Sequence, residues 1–221
     1  MFVPSPYREP DGSWTVDLMR RNPLALLVTS SDKTDVPYAT HLPVIFDPCM
    51  PEEDYSDPAR FVLLGHMNRA NPHWKALATG MPTLVVFSGS HAYVSPTVYD
   101  KSPAAPTWNF TAAHARGVLE KIESAEETLG VIGSTVRAFE ADFGTDWDMT
   151  QSVGYFRKIL PGVGAFRIAV SSIDSMFKLS QEQPPEVRDR VGCAFAESAS
   201  TRHREVAGLM NRLAVPKQVT V

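Results

Sequence analysis

Residues 36–46 alternate with a period of two over eleven positions, and this feature constrains the fold more than any other. One face of the pattern carries Val36, Tyr38, Thr40, Leu42, Val44 and Phe46, and the other carries Ala39, His41 and Pro43. A period of two is typical of a half-buried β-strand. Because proline cannot donate a ladder hydrogen bond, Pro37 and Pro43 place this strand near a sheet edge or interrupt it.

Other apolar runs predict further strands, and segments with helical spacing lie between and after them. The predicted strands are residues 24–29, 61–64, 82–87, 92–94, 107–122 and 164–173. The predicted helices begin at Ser13, Pro72, Ser124, Thr150 and Pro184, with a last one around Val206, Met210 and Leu213. No internal repeat is visible. About six strands with helices around them predict an α+β fold built on a small antiparallel barrel. We expect one domain over residues 1–221, with a helical extension at about 180–215.

Composition excludes several classes of protein. The 221 residues carry a net charge of −4 and no run of Lys or Arg, so nothing indicates nucleic-acid binding. The two cysteines, Cys49 and Cys193, are far apart, which argues against a disulfide scaffold or a thiolate zinc site and fits a reducing compartment. No signal peptide and no apolar stretch of roughly 20 residues is visible, so we expect a cytoplasmic protein.

Residues 65–75 concentrate the chemistry. His66 follows a short apolar strand, and Asn71 and Pro72 are favoured residues for the cap and first position of a helix. Side chains at such a junction are commonly presented to ligands. An imidazole and the nearby side chains of Arg69, Trp74 and Lys75 could ligate an iron and hold the acidic groups of a flat cofactor. The alternative for His66 is a structural histidine satisfied within the barrel.

Five segments, taken in order, resemble the PaiB-like proteins of the FMN-binding split-barrel fold. They are residues 40–43, 65–74, 89–96, 106–110 and 177–181. The resemblance implies a split β-barrel of about six antiparallel strands. It also implies a homodimer whose cofactor site lies near the subunit interface.

One branch of this family, the heme-dependent piperazate synthases, is especially similar. The similarity rests on residues 1–4, 65–74, 180–188 and 201–205. These enzymes bind heme in place of flavin and form the N–N bond of piperazic acid from N5-hydroxyornithine. The resemblance implies heme b as the cofactor and His66 as the axial iron ligand. The alternatives are an FMN-binding oxidoreductase, a transcriptional regulator and a heme-degrading enzyme on a related barrel.

The remaining candidate site residues each have a structural alternative. Arg69 and Lys75 suit propionates or a phosphate, or form a solvated helix face. Trp108 could stack on the cofactor or plug the barrel. The candidates for holding the substrate are Lys178, Arg204 and His41, and the alternatives are a helix-starting lysine, a solvated turn and a partly exposed barrel histidine. His73, in the first helical turn, is expected at the surface, in packing, or against a cofactor acid.

Overall fold

A computed structural model of the protein describes residues 1–30, 35–51, 57, 60–145 and 147–214. The strands are β1 (Leu24–Thr29), β2 (Tyr38–Phe46), β3 (Val62–Asn68), β4 (Met81–Val94), β5 (Thr107–Ile122) and β6 (Val163–Lys178). The helices are α1 (Gly12–Arg21), α2 (Pro72–Ala76), α3 (Ala125–Phe143), α4 (Val153–Ile159), α5 (Pro185–Ala196) and α6 (Thr201–Ala214). No helix among the described residues combines the length and apolar character that crossing a membrane requires.

The six strands close into one barrel in the order β1-β2-β3-β6-β5-β4, and every pairing is antiparallel. The predicted fold class, an α+β split barrel of about six antiparallel strands, is confirmed. The two longest strands, β5 and β6, pair from Phe110 opposite Lys178 to Ile122 opposite Ala165.

Alternation along the strands fills the barrel with side chains. Phe87, Leu63, Leu119 and Phe166 are each at most 1% exposed, and they lie in one continuous core. The helix α3 covers part of the outside. Its Val131 packs with a smaller cluster of outward-facing strand residues, which are Ile45, Leu64, Ile122 and Ala165.

Four predicted boundaries are wrong. The strand predicted at residues 61–64 continues as β3 to Asn68, so His66 lies within a strand rather than after one. Residues 82–94 form one strand rather than two, because a bulge between Ser88 and His91 absorbs the Gly89 turn and lets pairing with β5 continue. The strand β6 continues past residue 173 to Lys178 because β5 offers it a partner up to Phe110. The first helix is capped by Asp11, whose side chain accepts from the Ser13 N–H at 3.0 Å, rather than by Ser13.

Candidate cofactor site

The barrel is split between β2 and β3. In the described residues, these strands pair only from Val44 opposite Gly65 to Phe46 opposite Leu63. Beyond Gly65, β3 pairs with β6 alone, with His66 opposite Ala165. Continuing the register would place Pro43 opposite His66, and proline has no N–H to offer a ladder. The split therefore begins at His66, and α2 lies beside it.

His73 fixes α2 in the split. Its Nε2 lies 3.0 Å from Thr29 Oγ1 on β1 and its Nδ1 lies 2.8 Å from Thr40 Oγ1 on β2. The ring is 1% exposed and stacks on Tyr38 at 5.3 Å. Burial lowers the pKa of His73, which favours a neutral ring with one donor and one acceptor nitrogen. The sequence predicts His73 at the surface, in packing, or against a cofactor acid, and the structure shows it packed in the interior.

Trp74 closes the end of the barrel. Its indole lies against Gly164 of β6, where an added Cβ would come within 2.3 Å of the ring. The Arg69 guanidinium lies 5.6 Å from the ring centroid and the Lys121 ammonium 4.5 Å. Since Trp74 is only 7% exposed, it is a packing residue in this chain rather than an open platform for a cofactor.

His66 lies on the outer surface of the barrel. Leu63 and Met67 point into the core, and alternation therefore directs Leu64 and His66 outwards. The half-buried ring has an Nδ1 with no hydrogen-bond partner among the described residues. Burial lowers the pKa of His66, so the ring is neutral at pH 7. An unsatisfied buried nitrogen costs about 1–3 kcal/mol. Because Nδ1 is itself buried, Nε2 is the ring nitrogen that a ligand outside the barrel would meet.

The donor set at His66 suits a heme better than a protein-chelated metal. No group of three or more His, Cys, Asp or Glu side chains in the described part of the chain is arranged to hold a metal ion. A heme brings four nitrogens of its own and needs only one or two axial side chains. A single neutral imidazole with an unpartnered nitrogen meets that requirement.

Two cations accompany His66 at this end of the barrel. Arg69 donates from Nε to the Val163 carbonyl at 2.8 Å, which fixes its guanidinium at the edge of an open groove of about 510 Å³. Lys75 is exposed and has no partner among the described residues. His41 is exposed on the outward face of β2, across the split from His66.

Three candidate residues, Trp108, Lys178 and Arg204, lie at the end of the barrel opposite to His66. Trp108 begins β5, whereas Ile122, in the same row as Ala165 and His66, ends it. Fourteen residues separate Trp108 from Ile122, roughly 46 Å of strand at about 3.3 Å per residue. Within one chain, therefore, Trp108 and His66 cannot contact the same cofactor.

Lys178 and Arg204 also have local partners. Lys178 donates to Thr107 Oγ1 and lies 5.7 Å from the Tyr7 ring. Arg204 donates to the carbonyls of Ser198 and Ala199 at 2.7 and 2.9 Å, and so holds the turn between α5 and α6.

Comparison with known proteins agrees with this architecture. Residues 1–172 match the family model described as a putative FMN-binding domain. The chain is 30% identical over 186 residues to the protease synthase and sporulation protein PAI 2 of Bacillus subtilis, covering 83% of each. This chain belongs to the FMN-binding-domain family. The predicted PaiB-like membership is thereby confirmed.

Solved structures of other proteins share the fold of this chain. The FAD and heme binding protein from Mycobacterium smegmatis superposes with a TM-score of 0.54 at 16% identity, covering 80% of this chain and 76% of that one. A conserved hypothetical protein from Mycobacterium tuberculosis gives 0.55 at 12% identity, covering 83% and 94%. At these identities, the likeness establishes the barrel alone.

Lys121 is not among the candidate site residues predicted from the sequence of this member of the FMN-binding-domain family, although its ammonium lies over the Trp74 ring. Burial, together with the nearby positive charge of Arg69, lowers the pKa of Lys121, while Glu123 raises it. The sequence of β5 could have indicated it, because alternation places Lys121 at the end of the inward-facing row that includes Ala115 and Leu119.

Proposed function

We propose that this chain binds heme b through His66 and cyclises N5-hydroxy-L-ornithine to piperazic acid with loss of water. The observation that carries the proposal is the half-buried His66 ring, neutral and with an unpartnered nitrogen, at the outer mouth of the split. The sequence similarity of residues 1–4, 65–74, 180–188 and 201–205 to piperazate synthases supports the choice of reaction.

The chain's own residues would bind and orient the cofactor. Burial keeps His66 unprotonated at pH 7, so no proton competes for its ligating lone pair. Arg69 and Lys75, at the same end of the barrel, would pair with the propionates. When bound, the heme iron would supply a Lewis acid that polarises the N–O bond of the substrate.

The reaction is balanced without a reductant. The bond between N5 and its hydroxyl oxygen breaks, a bond between the α-amine nitrogen and N5 forms, and the oxygen leaves as water. Holding the substrate curled, so that the two nitrogens meet, contributes at most about 7–11 kcal/mol to lowering the barrier. Lys178 and Arg204 lie at the opposite end of the barrel, so Arg69, beside His66, is the cation that we propose to hold the substrate carboxylate.

We also propose that the working unit is a homodimer. The His66 ring faces outwards beside Leu64 and Ala165, which α3 of the same chain covers, so a second chain would enclose the exposed side of a flat cofactor there. A second copy could also bring Trp108 and Lys178 to His66, which one chain cannot do.

Absorbance of the purified protein tests the cofactor assignment. We expect a Soret band near about 400 nm in the wild type that disappears in His66→Ala. His41→Ala is the matched control, because it removes an exposed imidazole from the same face of the barrel. A full Soret band in a folded His66→Ala protein would show that His66 is not the ligand.

Turnover tests the reaction. Holoprotein incubated anaerobically with N5-hydroxy-L-ornithine and no reductant is expected to give a product lighter by one water. Heme-loaded protein that leaves the substrate intact would refute the synthase assignment while leaving heme binding in place.

An FMN-binding oxidoreductase is the second candidate, and the family's description favours it. The phosphate would then pair with Arg69 or Lys75. A flavin doublet in place of a Soret band, insensitive to His66→Ala, would select this function.

A further inference from the structure

A second cavity lies at the end of the barrel remote from His66. It has a volume of about 550 Å³ and is enclosed by α1, α6 and the bulged part of β4, with β5 and β6 at its base. That volume falls within the range of small-molecule sites in proteins.

Each of the two helices contributes one stripe of side chains to the cavity. The stripe from α1 is Trp14, Asp17, Leu18 and Arg21, and the stripe from α6 is Glu205, Gly208, Leu209 and Arg212. Both follow the i, i+3, i+4, i+7 spacing of one helix face.

The two stripes run in opposite directions. At the end of α6, Arg212 bonds Asp17 at 2.7 Å and lies 4.2 Å from the Trp14 ring, near the start of α1. At the start of α6, Glu205 accepts from Ser90, whose neighbour Gly89 lies against Leu18, further along α1. Glu205 and Arg21 therefore belong to the same end of the cavity.

The charged side chains that line the cavity differ in whether other residues already pair with them. Asp17 already pairs with Arg212. Among the described residues, Arg21 has no ion-pair or hydrogen-bond partner, and Glu205 is bonded only to the Ser90 hydroxyl. The guanidinium of Arg21 and the carboxylate of Glu205, both on exposed residues, thus line one cavity without bonding each other.

A buried hydroxyl marks the base of the cavity. Thr111 is 2% exposed, lines the cavity, and its Oγ1 has no hydrogen-bond partner among the described residues. Gly89 leaves room for it, since an added Cβ would come within 2.2 Å of that oxygen. Because an unpartnered buried hydroxyl is costly, Thr111 indicates a polar ligand atom at this depth.

The rest of the wall mixes apolar side chains with Asn22, Ser90 and the Asp17–Arg212 ion pair. Trp14 and Phe177 form an edge-to-face pair at 5.4 Å, and both line the cavity with Leu18 and Leu209. Beside the Asp17–Arg212 pair, the cavity therefore offers the Arg21 guanidinium, the Glu205 carboxylate, the Thr111 hydroxyl and an apolar patch.

We propose that this cavity binds a free α-amino acid with an apolar side chain. Arg21 holds the α-carboxylate, Glu205 holds the α-ammonium, and Thr111 bonds whichever of these groups reaches the base. The side chain packs on Trp14 and Phe177. The site is separate from His66, because Thr111 lies eleven residues, roughly 36 Å of strand, from Ile122 on β5.

Isothermal titration calorimetry with L-leucine tests the proposal on the full chain. We expect saturable binding with a dissociation constant below about 10 mM. N-acetyl-L-leucine, which lacks the ammonium, and L-leucinamide, which lacks the carboxylate, should bind at least about tenfold more weakly.

Variants locate the site. Arg21→Gln and Glu205→Gln should each weaken L-leucine binding by at least about tenfold, and Thr111→Val should weaken it while keeping the side-chain shape. Glu186→Gln, on the exposed start of α5, is the matched control for Glu205→Gln, and His66→Ala should bind as the wild type does. Circular dichroism and urea unfolding would establish that each variant is folded.

Three results would overturn the proposal. They are the absence of binding to the wild type, equal binding of N-acetyl-L-leucine, and unchanged affinity in folded Arg21→Gln and Glu205→Gln. Loss of binding in His66→Ala would also overturn it, because the amino acid would then occupy the cofactor site.

Discussion

Two imidazoles at the split differ in what their ring nitrogens contact. Both nitrogens of His73 are bonded to threonine hydroxyls, whereas Nδ1 of His66 is buried without a partner in the described chain. Burial lowers the pKa of each ring, so the pKa alone does not separate them. The hydrogen-bond partners separate the two residues. They identify His73 as structural and His66 as the candidate ligand.

Replacing His73 tests its structural role. His73→Ala removes two buried hydrogen bonds and leaves two threonine hydroxyls unsatisfied, so the free energy of unfolding should fall by about 2–4 kcal/mol. The exposed His41→Ala should change it by less than about 0.5 kcal/mol. Urea unfolding measures both. Equal stabilities of the two variants would contradict the role given to His73.

The same lowered pKa values predict loss of stability in mild acid. His66, His73 and His114 all have pKa values below the usual 6.5 when folded, so the unfolded chain binds protons more readily than the folded one. Their contribution to stability is constant above pH 6.5 and declines as pH falls below it towards the folded-state values. The urea concentration at the unfolding midpoint should be lower at about pH 5.5 than at about pH 7.5 in the wild type, and this decrease should be smaller in His66→Ala. A midpoint that rises in acid would refute this.

At the scale of elements, local patterns predicted the strands with long uninterrupted runs. Residues 24–29 and 107–122 match β1 and β5 at both ends, because apolar continuity and alternation are local properties. The local pattern wrongly predicted two strands on either side of Gly89, because a bulge depends on the strand that lies opposite it. The site was predictable only in part for the same reason. Arg69 and Lys75 adjoin His66 in sequence, whereas the distance to Trp108 depends on cross-strand register.

The contact of α2 with β6 depends on a glycine. Gly164→Ala would place a methyl group within the Trp74 ring, so Trp74 and α2 must move. We expect a loss of about 1–3 kcal/mol in stability and a shift in tryptophan emission. Gly162→Ala is the matched control, because an added Cβ there meets nothing within 4 Å. A Gly164→Ala protein as stable as Gly162→Ala would show that the ring has room to adjust.

At the scale of the molecule, the barrel leaves apolar side chains outside. Leu24 on β1 is 66% exposed and Val118 on β5 is 46% exposed, and both point away from the core. Leu24 lies opposite Pro43, beside the split that carries His66. Exposed apolar side chains next to a candidate cofactor site favour an interface there.

A charge on that surface tests the proposed homodimer. Leu24→Asp should convert the dimer to a monomer, since a desolvated carboxylate opposes burial. Phe143→Asp is the matched control, because that side chain is 57% exposed at the far end of α3. Light scattering coupled to size exclusion measures the mass. A Leu24→Asp protein that remains dimeric would place the interface elsewhere.

The filled interior of the barrel has a consequence for the cofactor. With Phe87, Leu119 and Phe166 fully buried at its centre and Trp74 across its end, the barrel has no room for a flat ring system inside. The proposed cofactor on His66 would therefore lie outside the barrel, with this chain on one side of it and the proposed second subunit on the other. In that proposed dimer, loading and self-association would be linked equilibria, and dilution should release the cofactor as it separates the subunits.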